Sequence, residues 1–284
     1  MAMEEISAGH RMIGEMIVGA AQKAPKYLRE YGHRCPTDPR DGLMQFAFGT
    51  KMTTFELFRS MPHVLRDFNL FMGNTMGARS YWVDWFPVKE QLLDGADHNA
   101  ALLVDVGAGK GHDLLAFLDK YRGKERLVLQ ELEAVTASLE IDPAIEVMKY
   151  DFFTEQPVKG MFPSPAILML FFSNKVIGAR AYFLHHILHD WSDEKCLEIL
   201  KHLKDAMKPG YSKLLLHEML IPERGASTFH SMLDMTMMAF NAGMERTERQ
   251  WTELLNNAGF EVVKFWAPEE ADADGIVEAT VYPE

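Results

Sequence analysis

Three glycines at alternate positions, Gly107, Gly109 and Gly111, follow the run Val104-Asp105-Val106 and precede a helical pattern. Glycine at such a turn lets the backbone bend tightly and come close to a ligand. The spacing is GxGxG, not the GxGxxG of dinucleotide folds, and alone it also suits a tight turn with no ligand. About twenty residues on, Glu131 ends the next apolar run. An acid there can accept hydrogen bonds from both hydroxyls of a ribose; the plainer alternative is a solvated glutamate beside Glu133. Asp151-Phe152-Phe153 ends a third run, with a carboxylate to accept from an exocyclic amine and a ring to pack on a purine. Asp151 alone would pass for a loop residue. Three successive strand ends, each with ligand chemistry, are harder to dismiss.

A fourth run leads into His185-His186-Ile187-Leu188-His189-Asp190-Trp191. Three histidines and an acid could ligate a metal, although the spacing matches no recognised zinc pattern. The other chemistry is acid–base. Glu218 ends a fifth run and Glu245 precedes a helix start at Thr247. A carboxylate bonded to one imidazole nitrogen fixes the tautomer and leaves the other nitrogen as a base.

The elements that must carry these residues follow from periodicity. Continuous apolar runs predict buried strands at 101–106, 126–132, 145–150, 181–184, 213–217, 260–266 and 276–282. Helices are expected at 112–121, from an N-cap at Ser192 to a stop at Pro209-Gly210, and from a Thr247–Gln250 capping box to Gly259. Such alternation implies an α/β fold with a mostly parallel sheet, ligands sitting at the carboxyl ends of its strands. Before Asp94–Asn99 the pattern is helical and methionine-rich, with helices expected around 13–20, 24–31, 53–60 and 64–77 and a loop at 32–42. This divides the chain into a helical segment, 1–95, and an α/β domain, 96–284. The aromatic group Tyr81, Trp82, Trp85 and Phe86 is read first as core packing.

Composition narrows the partners. A net charge of −12 repels phosphate backbones, so nucleic acid is a poor candidate. Two cysteines far apart, Cys35 and Cys196, argue against a disulfide framework and for a reducing, cytoplasmic setting. No apolar run is long enough to span a bilayer, and no membrane role is expected.

With these motifs in order (LVDVGAGKGH, LVLQELEAV, DFF, ILHDWSDEKCLEIL, HEMLIP, ERTERQW ahead of AGF), the sequence resembles the class I O-methyltransferases of the plant caffeate type, and more closely their fungal secondary-metabolism relatives. The resemblance runs from about residue 24 to the end. It implies a Rossmann-like seven-stranded sheet with one reversed strand, S-adenosylmethionine as cofactor, no metal, a homodimer, and transfer of methyl to a hydroxyl of a small aromatic molecule. Carried over by position, Asp105, Gly107, Gly109, Gly111, Glu131, Asp151, Phe152 and His185 would bind the cofactor, His185 standing where the family has Arg or Lys. His189 would be the base, flanked by Glu218 and Glu245, and Met72, Trp82 and Asn241 would line the substrate pocket.

Two departures from the family pattern carry expectations of their own. The 1–95 segment matches only the last helices of the family's N-terminal dimerisation and lid domain, which predicts exposed apolar surface, weak dimerisation and a truncated member. An apolar segment at about 160–178, with Pro163 and Pro165, interrupts the family's PVKG–ARAYFL junction. It reads as a genuine loop or as a short intron translated in frame. The alternative reading of the whole chain is a catalytically silent cofactor-binding or partner-binding remnant.

Overall fold

Buried apolar runs become the strands of one sheet. In the computed structural model, which describes residues 4–75, 80–137, 139–159, 178–270 and 272–282, these are β1 (Ala101–Val106), β2 (Arg126–Glu131), β3 (Ile145–Lys149), β4 (Ala181–His185), β5 (Lys213–Glu218), β8 (Phe260–Trp266) and β9 (Gly275–Val281). A separate small pair is formed by β6 (Leu220–Ile221) and β7 (Arg246–Thr247). The seven-stranded order is β3-β2-β1-β4-β5-β9-β8. All neighbours from β3 to β5 are parallel, and β9 runs against both β5 and β8. The expected mostly parallel sheet with one reversed strand is what forms. The order reverses between β1 and β4, which opens the crevice where ligands of such sheets bind.

The helices are α1 (Glu4–Met12), α2 (Val18–Ala21), α3 (Ala24–Tyr31), α4 (Leu43–Phe48), α5 (Thr54–Ser60), α6 (Pro62–Thr75), α7 (Trp82–Trp85), α8 (His112–Tyr121), α9 (Glu133–Thr136), α10 (Asp193–Ala206), α11 (Thr228–Asn241) and α12 (Glu248–Ala258). A π-helical turn, Ile13–Ile17, joins α1 to α2. The capping boxes at Thr53–Glu56 and Thr247–Gln250 are both made, each satisfying two otherwise unpaired amides of the first turn.

Alternation along the strands splits the core into two layers. Val104, Tyr182, Leu184, Leu214 and Leu216 face α10 and α12. Leu103, Phe183, Leu215 and Ile276 face α7 and α8, where Trp82, Phe86 and Phe117 pack. A third cluster joins the N-terminal helices to the carboxyl half: Met16, Met44, Phe58 and Val64 pack with Ala239 and Phe240 of α11. Arg11 of α1 forks onto Asp67 of α6 at 2.7 and 3.0 Å. The expected apolar surface is present on this helical segment, at Ile6, Ile13, Val18 and Phe48 and at Met52 in the α4–α5 connection, and exposed apolar side chains also stand on α11 at Phe229, Met232 and Met235. The segment expected as an insertion lies, save for Gly178, outside the described residues. Among the described residues no helix is long and apolar enough to cross a membrane.

Candidate active site

The glycine turn leaves β1 with Gly107, Gly109 and Gly111 all at positive φ, 74°, 54° and 78°. Gly109 faces open space, with nothing within 4 Å of where a Cβ would stand, so the backbone there is bare to an incoming ligand. Its amide donates to Glu131 Oε2 at 3.3 Å, and Leu132 N donates to Oε1 at 2.7 Å. Burial pushes the Glu131 carboxyl up, against the pull of those two amides. Phe152 lies against the same turn, 3.7 Å from the Cβ position of Gly107. Asp151 is exposed and its Oδ1 accepts from Phe153 N at 3.0 Å, which turns the loop that presents Phe152. Asp105 is buried in β1 with Oδ2 lacking a hydrogen-bond partner among the described residues. Burial, with Asp113 and Glu131 nearby, holds its carboxyl well above the usual range.

On the other side of the crevice a 3-10 turn, Leu188–Asp190, carries His189. His189 Nδ1 is 2.8 Å from Glu245 Oε1, a side chain buried at the start of the segment that becomes β7. Glu218 is fully buried; its Oε1 accepts from the amides of Ile187 and Leu188 at 3.2 and 2.9 Å, and its Oε2 lies 3.9 Å from His189 Nδ1. Asp190 Oδ1 is 3.8 Å from Nε2, too far for a hydrogen bond. Burial opposes a charge on His189, but the Glu218 charge and the Glu245 hydrogen bond outweigh it and push the imidazole up to about 10. Burial in turn raises Glu218, and raises Asp190 to about 7.

Close packing fixes this geometry. A Cβ on Gly243 would sit 2.1 Å from the carbonyl oxygen of His189, and Met244 N donates to that same oxygen at 2.9 Å. Only glycine lets the 242–244 turn lie flat on the histidine loop. Arg246, fully buried, donates to Leu188 O at 3.0 Å, to Trp191 O at 2.9 Å, and twice to Asp193 Oδ1. The dipeptide Glu245-Arg246 therefore grips both the imidazole and the backbone that bears it.

A family profile described as an O-methyltransferase domain matches residues 169–261. The O-methyltransferase asqD of Emericella nidulans is 50% identical over 283 residues, covering 98% of this chain and 68% of its own. The chain belongs to the S-adenosylmethionine-dependent O-methyltransferases of fungal secondary metabolism. Among solved structures, LepI in complex with S-adenosylmethionine superposes with a TM-score of 0.85 at 27% identity, covering 99% of this chain and 68% of that one. OxaC in complex with sinefungin and meleagrin gives 0.81 at 27%, covering 99% and 67%. The chain thus spans about two thirds of the length of the relatives it matches.

The residues of this O-methyltransferase fit the cofactor of its family. The backbone bare at Gly109, the Glu131 carboxyl bonded to its amide, Phe152 against Gly107 and the unpartnered Asp105 oxygen lie about the end of β1 and offer the donors and acceptors such a cofactor needs. His185, at the end of β4, is bonded to Asp113 Oδ2 at 2.8 Å through Nδ1 and is only slightly exposed. Asn241 is fully buried; its Oδ1 accepts from Thr54 N at 3.0 Å and its Nδ2 lacks a partner among the described residues. Met72 is half-buried on α6. Trp82 requires a correction. It is fully buried, 4.9 Å from Phe183 and 6.2 Å from Phe117, on the sheet face away from Glu218. It packs the core, as the first reading of its aromatic group had it, and lines no pocket.

Sequence reasoning passed over Gly243, Arg246, Asp113 and His217. Arg246 was within reach, since it stands in the ERTERQW motif next to Glu245. His217 was equally so, beside Glu218 in HEMLIP, whereas Gly243 and Asp113 act through tertiary contacts that no local pattern announces.

Proposed function

We propose that the protein methylates a hydroxyl of a small aromatic metabolite, with His189 as the base and no metal in the reaction. Bound at the glycine turn, S-adenosylmethionine supplies a methyl group already activated on a sulfonium. Gly107, Gly109 and Gly111 would hold its methionine end, Glu131 its ribose, and Asp151 with Phe152 its adenine. The chain's own tasks are then to place the acceptor and to take its proton.

The observation that carries this reading is the His189–Glu245 bond. With Nδ1 held by a carboxylate, Nε2 makes no hydrogen bond among the described residues and is left for the acceptor hydroxyl. A phenol titrates near 10, close to the level to which His189 is raised, so the proton passes between matched groups. Glu218 and Glu245 then stabilise the imidazolium. These three residues also have metal-ligand spacing, but Glu218 Oε1 already accepts from two backbone amides, which supports an organic base.

The acceptor class is supported by the wall beside this group. Trp191 packs on Phe153 and Phe152, and Phe55 bridges Trp191 to Phe240 and Phe68. Such half-buried flat rings suit a flat acceptor. Incubation with labelled S-adenosylmethionine and a panel of phenolic polyketides and phenylpropanoids, followed by mass spectrometry, tests the reading. A methyl ether from one of them is the expected result. Retained cofactor binding with no turnover on any of them would leave the silent remnant as the better account.

A further inference from the structure

A second histidine–carboxylate group lies under the same strand ends, on the α8 side of the sheet. β4 and β5 are parallel neighbours with His185 in register with His217, so both rings project to one face. Their centroids are 4.0 Å apart. Asp113, in the first turn of α8, closes the group: its carboxylate, a ring nitrogen of His185 and one of His217 all lie within 4.8 Å of one another. A further trio of His185, His186 and Asp274 shares His185. His186 takes a left-handed backbone, φ 52°, that only a few non-glycine residues adopt, and its Nε2 comes to 3.1 Å from Asp274 Oδ1.

Hydrogen bonding within the group leaves nitrogens over. His217 is 5% exposed, and its Nδ1 has no partner among the described residues; His185 Nε2 is buried and in the same state. Buried polar atoms of native proteins are nearly always paired, so each exception calls for an explanation. Two imidazoles and one carboxylate are the donor set of a zinc-type ion with one open position. Imidazole donors favour zinc, cobalt or nickel over magnesium and calcium, which want oxygen throughout.

We propose that Asp113, His185 and His217 form a site for a transition-metal dication of the zinc class, separate from the His189 group. Ion binding breaks the 2.8 Å Asp113–His185 hydrogen bond and draws His217 inward. His185 and Asp113 each keep about a tenth of their side chains exposed, 12% and 11%, which leaves a route in.

The test is a titration of the tag-free, chelator-stripped chain with cobalt(II) chloride, read by visible d–d absorption and by calorimetry. One tight equivalent with a tetrahedral spectrum is expected. His217→Phe, which keeps a ring among Phe183 and Trp85, and the isosteric Asp113→Asn should each weaken binding by at least about tenfold, the scale on which even outer partners of a metal act. His189→Ala should leave it unchanged. No tight equivalent, or one that survives both substitutions, overturns the proposal. So does one lost in His189→Ala, which moves the ion to the other group. If His217→Phe does not fold, Asp113→Asn decides alone.

Discussion

Two histidine–carboxylate groups meet at the ends of β4 and β5, one on each face of the sheet. A single dipeptide, His217-Glu218, feeds both, because successive strand residues point to opposite faces. On one face a lone imidazole, His189, is surrounded by Glu218, Glu245 and Asp190, and it is pushed up to about 10. On the other, His217 sits against His185 with Asp113 as the nearest acid, and it is held well below its usual range. Burial is equally severe in both places. Burial opposes a charge on each ring, and the neighbours decide the direction: the carboxylates outweigh it at His189, Asp113 outweighs it at His185, and the His185 charge adds to it at His217.

His189→Ala should produce the largest effect. Turnover falls by at least about a hundredfold, the scale of a lost general base, while cofactor affinity stays nearly intact. Steady-state kinetics alongside calorimetry check both halves. An unchanged rate would move the chemistry away from the acid-rich face altogether.

Arg246→Lys comes next. Lysine keeps the charge but loses the planar fork that spans Leu188 O, Trp191 O and Asp193. Small displacements of a catalytic group are costly, so kcat should drop by up to about a hundredfold, with KM for the cofactor barely altered. A change in KM alone would mean that Arg246 supports the fold around the cofactor and not the placement of His189.

Glu131→Ala separates cofactor from base. Glu131 belongs to neither histidine group, and its loss should weaken S-adenosylmethionine by about 1.5 kcal/mol, roughly tenfold, since hydrogen bonds to a charged group are worth at least that. Calorimetry showing unchanged affinity would remove Glu131 from the cofactor site.

Much of this arrangement was legible because buried parallel strands are nearly unbroken apolar runs. Ala101–Val106 and Phe260–Trp266 are placed to the residue, and the other five strands of the sheet to within one residue at each end. A local signal also served the capping box at Thr247, whereas Ser192 stands at the N-cap of α10 without a side-chain cap bond. Legibility failed where the deciding contact is distant in sequence. α11 was missed although Ser227 is a good cap, since its methionines spread around the helix and blur the period. Asp113 gave no sign of its role because its partner, His185, is 72 residues away. Trp82 was misplaced as pocket lining because an aromatic residue reads the same on either face of a sheet. His186 illustrates a further limit: its left-handed backbone brings its ring to within 4.9 Å of His189, nearly parallel, and no sequence pattern encodes that.

The smallest expected effect is also the sharpest test of why the two groups differ. If nearby carboxylates hold His189 up, then Glu245→Gln should release it. The amide keeps a hydrogen-bonding side chain of the same shape at Nδ1 but withdraws one negative charge from 2.8 Å. The sign follows from the role of the ring. A base works only when deprotonated, so in the native chain kcat/KM should climb as pH rises through neutrality toward about 10, where His189 loses its proton. Withdrawing an anion makes the cation less favourable, lowers the pKa, and moves the rising limb toward acid by about one unit, in line with the shifts that single close charges produce. At neutral pH a larger share of the variant's imidazole is free base, but that base is weaker and Glu245 no longer stabilises the imidazolium, so the maximal rate should fall even as the limb shifts. A pH–rate profile of both proteins on one phenolic acceptor measures limb and plateau separately. A limb that stays in place while the plateau drops would show Glu245 acting on orientation alone, and the contrast between the two faces would then have to rest on Glu218 and Asp190.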